Sequence, residues 1–115
     1  MAYTLERAQI GDVTVLSLSG RFGQDAAEEL LAKVTALAVG VGIVVDLSGV
    51  EYISSAAIGC LVQIGVDRGA VIAAPSEAVR RTFELAEVGA FLRILPGLDE
   101  ARAAATGRSS RRGPA

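Results

Sequence analysis

Apolar positions along this chain change period several times, and each change marks an element. Thr4–Gln9 and Val13–Ser19 read as two strands, with Gly11-Asp12 between them as a hairpin-type turn. Gly20–Gly23 reads as a loop. From Gln24 or Asp25 the spacing lengthens to three and four: Ala27, Leu30, Leu31, Val34, Leu37 and Ala38 form one stripe, with Glu28, Glu29 and Lys33 off it. That pattern predicts an amphipathic helix ending at Gly40 and Gly42. Ile43–Val45 is a wholly apolar run, as expected of a central strand, and Asp46-Leu47-Ser48-Gly49 is expected to turn the chain.

A second helix is predicted from Ser54 or Ser55 to about Val66, and it is apolar nearly all round. Ile58, Leu61, Val62, Ile64 and Val66 are too many for a single inward stripe, and Gln63 is its only strongly polar interior position. Such a helix is either sandwiched in the core or shows an apolar patch to a partner. A partner surface is favoured, with one or two of Ile58, Val62 and Val66 expected in solvent. Asp67-Arg68-Gly69 closes the helix and Ala70–Ala74 forms the next strand. Pro75-Ser76 opens a third helix with Val79, Phe83 and Ala86 inward, Phe91–Leu95 makes a last strand, and Leu98–Ala105 a terminal helix. The alternation predicts an α/β fold, a mixed sheet with helices packed mainly on one face and a loosely attached first strand.

At 115 residues the chain suits one domain, expected over 1–105, with a disordered basic tail over 106–115. Residues 1–101 carry seven bases against thirteen acids, a net of −6, and residues 102–115 carry four arginines and no acid. An acidic body argues against direct nucleic-acid binding, which needs clustered cations on phosphate. No apolar stretch is long enough for membrane insertion, no secretory signal is visible, and a lone Cys60 fits a reducing cytoplasm. With no histidine and no paired carboxylates, acid–base and metal chemistry lose their usual residues, which argues against an enzyme or a bound cofactor. Cys60 reads as a small buried hydrophobe.

The candidate chemistry is therefore a pair of hydroxyls, Ser54 and Ser55, at the start of the second helix. A serine there is the ordinary N-cap. It is also a place where an added phosphate is tolerated, because free N–H groups and the helix dipole favour negative charge. Taken alone, capping outranks phosphorylation at such a site.

The stretch VVDLSGVEYISSAAIG resembles the signature of STAS domains, the fold of bacterial anti-sigma-factor antagonists. Asp46-Leu47, Val50, Tyr52, Ile53, Ser55, Ile58 and Gly59 fall on that pattern, and Ala73–Leu95 is similar to the family's strand, turn, helix and final strand. Ser54 stands where the family usually has Asp, Ala56 where it has Ser or Thr, and Ala57 where it has Gly. The resemblance implies Ser55 as phosphoacceptor, with Ser54 as second choice, and a partner-binding surface of Asp46, Ser54, Ser55, Ala56, Ile58 and Val62. Asp46 is balanced between a rim position and a plain strand end, while Tyr52 and Ile53 read as packing residues. The implied partners are an anti-sigma factor that is also a serine kinase, and a serine phosphatase. Two other roles fit the resemblance: a subunit of a lipid-transporting ABC system, and a scaffold component of a stress-signalling complex. The sequence leaves the oligomeric state open.

Overall fold

A computed structural model describes residues 3–112, with side chains through Ala105. Five strands and four helices follow one another as β1 (Tyr3–Ile10), β2 (Val13–Phe22), α1 (Gln24–Thr35), β3 (Gly42–Ile53), α2 (Ser55–Arg68), β4 (Val71–Ala73), α3 (Glu77–Ala86), β5 (Arg93–Leu95) and α4 (Leu98–Arg112). The sheet order is β1-β2-β3-β4-β5, with β1 antiparallel to β2 and every other pair parallel. This is the α/β fold that the strand and helix periods predict, a mixed sheet with three of its four helices on one face, and it agrees with the fold the STAS resemblance implies. Gly11, at φ +61°, makes the β1–β2 turn in the left-handed region that glycine adopts without penalty.

Alternation along the strands divides the interior in two. Leu16, Leu18 and Phe22 of β2, Ile43, Val45 and Leu47 of β3, and Ile72 of β4 meet the inward stripes of α1, α2 and α3. Val13, Val15, Val44, Val71 and Ala73 face the other way and are covered by Ala101 and Ala105 of α4. Gly42 lies under α4 so closely that a Cβ there would stand 2.9 Å from the Ala105 carbonyl oxygen. Large branched side chains fill the first layer and small ones the second, so α4 rides close to the sheet.

Several expectations are revised: α1 stops at Thr35, short of Gly40, and Ala86 is exposed rather than inward. β2 runs on to Phe22, and β3 continues through Asp46–Gly49 to Ile53 where a turn was expected. The two strands stay paired in parallel, and β3 takes up one extra residue at each of two register shifts, between Ser17 and Ser19 and between Gly20 and Arg21. A bulge has the polar and glycine content of a turn, but Leu47, Val50 and Ile53 remain buried and hold the strand to the core. At Gly49 a Cβ would lie 2.8 Å from that of Ser19, so only glycine fits the irregularity. The first strand is not loosely attached: all eight residues of β1 are laddered to β2, and the Tyr3 hydroxyl donates to Glu29 Oε1 at 2.6 Å. Last, α4 passes its expected end at Ala105; the side chains of the basic tail, 106–115, lie outside the described residues.

Candidate functional site at the start of the second helix

β3 delivers the chain to α2 without a loop. Ser54 keeps an extended backbone, and its N–H still donates to Phe22 O at 3.0 Å, as though it were one more strand residue. Its carbonyl accepts the N–H of Ile58 at 3.0 Å, and its Oγ accepts the N–H of Ala57 at 3.1 Å. Ser54 is thus the N-cap, half-buried, with its hydroxyl committed to a backbone donor.

Ser55 is the first helical residue. It is exposed, and its hydroxyl has no hydrogen-bond partner among the described residues. The first turn of α2 carries no acidic side chain of its own to offset its free N–H groups. The two serines are adjacent in sequence and divided in role: one holds the helix, the other is presented.

Further along α2, Ala57, Leu61 and Ile64 are buried, Ile58 and Val62 are half-buried at the edge of the larger core, and Val66 is 65% exposed. One of the three outward candidates is therefore in solvent. Ala56, exposed, joins Gly59, Cys60 and Gln63 to line a groove of about 410 Å³ whose other wall is Gln24, Ala27, Glu28 and Leu31 of α1. Nothing lies within 4 Å of where a Gly59 Cβ would sit, so this glycine keeps the groove open and answers no crowding inside the fold. Cys60 is buried beneath, its thiol 3.5 Å from Ala27 O, and burial pushes its pKa up.

At the far end of α2, Gly69 closes the helix in the left-handed conformation. Arg68 reaches across to α1 and donates to the carbonyls of Val34, Leu37 and Ala38 at 2.8, 2.8 and 2.9 Å. It neutralises the negative end of α1 and ties the two helices together below the groove.

Asp46 stands apart from the serine pair. Val45 and Leu47, its strand neighbours, point into the layer beneath α1–α3, so Asp46 projects from the face that α4 partly covers. There its Oδ1 accepts the N–H of Ser48 at 3.0 Å and its Oδ2 lies 3.5 Å from Ser17 Oγ. The same alternation explains two residues that the sequence reading assigned otherwise. With Phe22 and Ile53 inward, Arg21 and Tyr52 project outward as directly paired neighbours. Tyr52, expected to be a packing residue, is 44% exposed, with the Arg21 guanidinium 4.3 Å from its ring centroid. The signal was the period-two pattern; carried through Phe22 and Ile53, it places both side chains outside.

Among the described residues no helix is long and apolar enough to cross a membrane. A family model described as Mlab, STAS domain, matches residues 5–96. The chain belongs to the STAS-domain family. Its solved relatives include an anti-sigma factor antagonist from Mycobacterium paratuberculosis, 26% identical, covering 91% of this chain and 95% of that one with a TM-score of 0.79. The anti-sigma factor antagonist SpoIIAA in its unphosphorylated form is 22% identical, covering 92% and 97%, TM-score 0.69. The Bacillus cell fate determinant SpoIIAA in the phosphorylated form is 20% identical, covering 90% and 98%, TM-score 0.63. At their level of identity the last two speak for the fold alone. No curated protein matches the chain.

Proposed function

We propose that this STAS domain is an anti-sigma-factor antagonist. It binds an anti-sigma factor that is also a serine kinase, through the start of α2, and so releases a sigma factor; phosphorylation of Ser55 ends the binding and a serine phosphatase restores it. The protein is a cytoplasmic regulator and not an enzyme. The observation that carries this reading is the division of labour between the serines. Because Ser54 supplies the cap, the Ser55 hydroxyl is left exposed and unbonded for transfer of a phosphate. The partner-facing surface comprises Ser54, Ser55 and Ala56 with the half-buried edge at Ile58 and Val62, while Asp46 serves only if the partner also reaches over the end of the sheet.

A phosphate of about −1.5 to −2 charge at the first turn of α2 suits the free N–H groups of the folded domain. The same charge is costly at a desolvated contact on the apolar side of the helix. One modification therefore breaks a complex without loosening the domain. The test is binding of a candidate anti-sigma factor of the serine-kinase type, measured by calorimetry. The unmodified domain and Ser55→Ala should bind it, and Ser55→Asp should bind at least tenfold more weakly; equal binding by all three removes the switch.

A second reading keeps the fold and the serine end and changes the partner to the permease or ATPase of a lipid-transport ABC system. The matching family model's description, Mlab, STAS domain, favours retaining it. Capture of those subunits in place of an anti-sigma factor would decide for it.

A further inference from the structure

Arg21 is an exposed cation near the end of β2, one residue before the Phe22 carbonyl that holds Ser54, and it forms no ion pair among the described residues. Its guanidinium rests on the ring of Tyr52, directly opposite it in the β2–β3 ladder. The next rung joins Phe22 to Ile53, and the Phe22 carbonyl accepts the N–H of Ser54. The stacked guanidinium is thus three residues of chain from Ser55 on one side and one rung from its cap on the other. We propose that Arg21 is the built-in counter-ion of phosphorylated Ser55, leaving the Tyr52 ring to pair with the phosphate. The inference rests on Ser55 being the phosphoacceptor.

The other charges nearby leave Arg21 available. Asp25 shares with it a crevice lined also by Tyr3, Gly23, Gln24 and Ala26, yet makes no ion pair with it. Glu51 is exposed on β3 beside Tyr52, Asp46 is engaged by the Ser48 N–H, and Glu29 by the Tyr3 hydroxyl. Of the cations on α3, Arg81 lies 3.8 Å from Glu77, and Arg80 lines a crevice with Pro75, Ile94 and Pro96 on the β5 side. A surface cation–π contact is weak, whereas a guanidinium–phosphate pair is charge-assisted and bidentate, so a dianion draws the guanidinium off the ring. Phosphorylation would then do two things at once. It places charge on the helix start, and it removes the guanidinium from an exposed Arg–Tyr platform of the kind enriched at binding hot spots.

The experiment installs phosphoserine at position 55 of the full chain during translation and follows its phosphate by phosphorus NMR against pH at low salt. A nearby cation favours the dianion, so the second ionisation, ordinarily near pH 6, should lie lower with Arg21 present. Arg21→Gln should raise it by about half a unit or more, and Arg21→Lys should restore part of the difference. The Tyr52 ring proton shifts should change on phosphorylation in the otherwise unaltered chain and stay constant in the Arg21→Gln chain. Identical titrations with Arg21 and Gln, or an unmoved Tyr52 ring, overturn the pairing. Because no kinase is involved, failure here is distinct from failure of a kinase to modify Ser55.

Discussion

The two ends of α2 are closed by different means. At the C-terminal end Gly69 turns the chain and Arg68 makes three hydrogen bonds to carbonyls at and just past the end of α1, so the polar groups there are tied into the fold. The N-terminal end is held by one hydroxyl, that of Ser54, and the residue beside it is exposed, with no hydrogen bond from its hydroxyl among the described residues and no acid in the first turn of the helix. A helix anchored at one end and through its middle can change charge at the other without coming apart. Under the proposed function, that asymmetry is what would let a modification alter binding and leave folding alone, and substitutions along the helix should separate the two.

The largest effect is expected in the middle. Leu61 is fully buried against the sheet, and Leu61→Ala should cost about 2–5 kcal/mol in denaturant unfolding, from lost transfer energy and the cavity left behind. Arg68→Ala comes next. Hydrogen bonds to a charged group are each worth about 1.5–3 kcal/mol, but partial exposure and the shared guanidinium reduce the sum, so a loss of about 2 kcal/mol is expected. If Arg68→Ala proved neutral, the C-terminal end would not be the anchored one. At the other end Ser54→Ala should cost about 1 kcal/mol through the lost cap, and Ser54→Asp should recover most of it. The smallest effect belongs to Ser55: Ala there should change stability by less than about 0.5 kcal/mol. Ser55→Asp should melt no lower than the unaltered chain, because a negative group at the first turn is favourable.

Cys60 adds a pH signature from the helix middle. Its buried thiol has a raised pKa, so the folded state favours the neutral form. The stability this group contributes is complete at neutral pH and is lost as pH rises past the thiol's ordinary 9.0 toward and through its raised value in the folded state. Unfolding midpoints measured from neutral to alkaline pH should fall more for the native chain than for Cys60→Ala.

Much of this was legible in the residues. The alternation of strand and helix periods gave the element order, the hairpin at Gly11-Asp12 gave the one antiparallel pairing, and the unbroken apolarity of α2 marked it as the helix to watch. What escaped was the course of β3. Asp46-Leu47-Ser48-Gly49 has the composition of a turn, and only pairing with β2 shows that it is a bulge between buried Val45 and Val50. That one misreading hid two consequences. It hid which face Asp46 takes: alternation in a continuous strand carries it to the side that α4 partly covers. It also placed Tyr52 in the packing, when the same alternation puts it outside under Arg21. The roles of Ser54 and Ser55 were not separable from sequence, since either hydroxyl fits an N-cap; the cap is decided by which backbone is still extended, and Ser54 is the last residue in the sheet's hydrogen bonding.

The central claim is that Ser54 belongs to the fold and Ser55 to the switch. The most direct measurement is phosphosite mapping by mass spectrometry after incubating the domain with its cognate kinase and ATP, for the native chain, Ser54→Ala and Ser55→Ala. One phosphate on Ser55 is predicted for the native chain and for Ser54→Ala, and none for Ser55→Ala. Phosphate on Ser54, or undiminished labelling of Ser55→Ala, would contradict it.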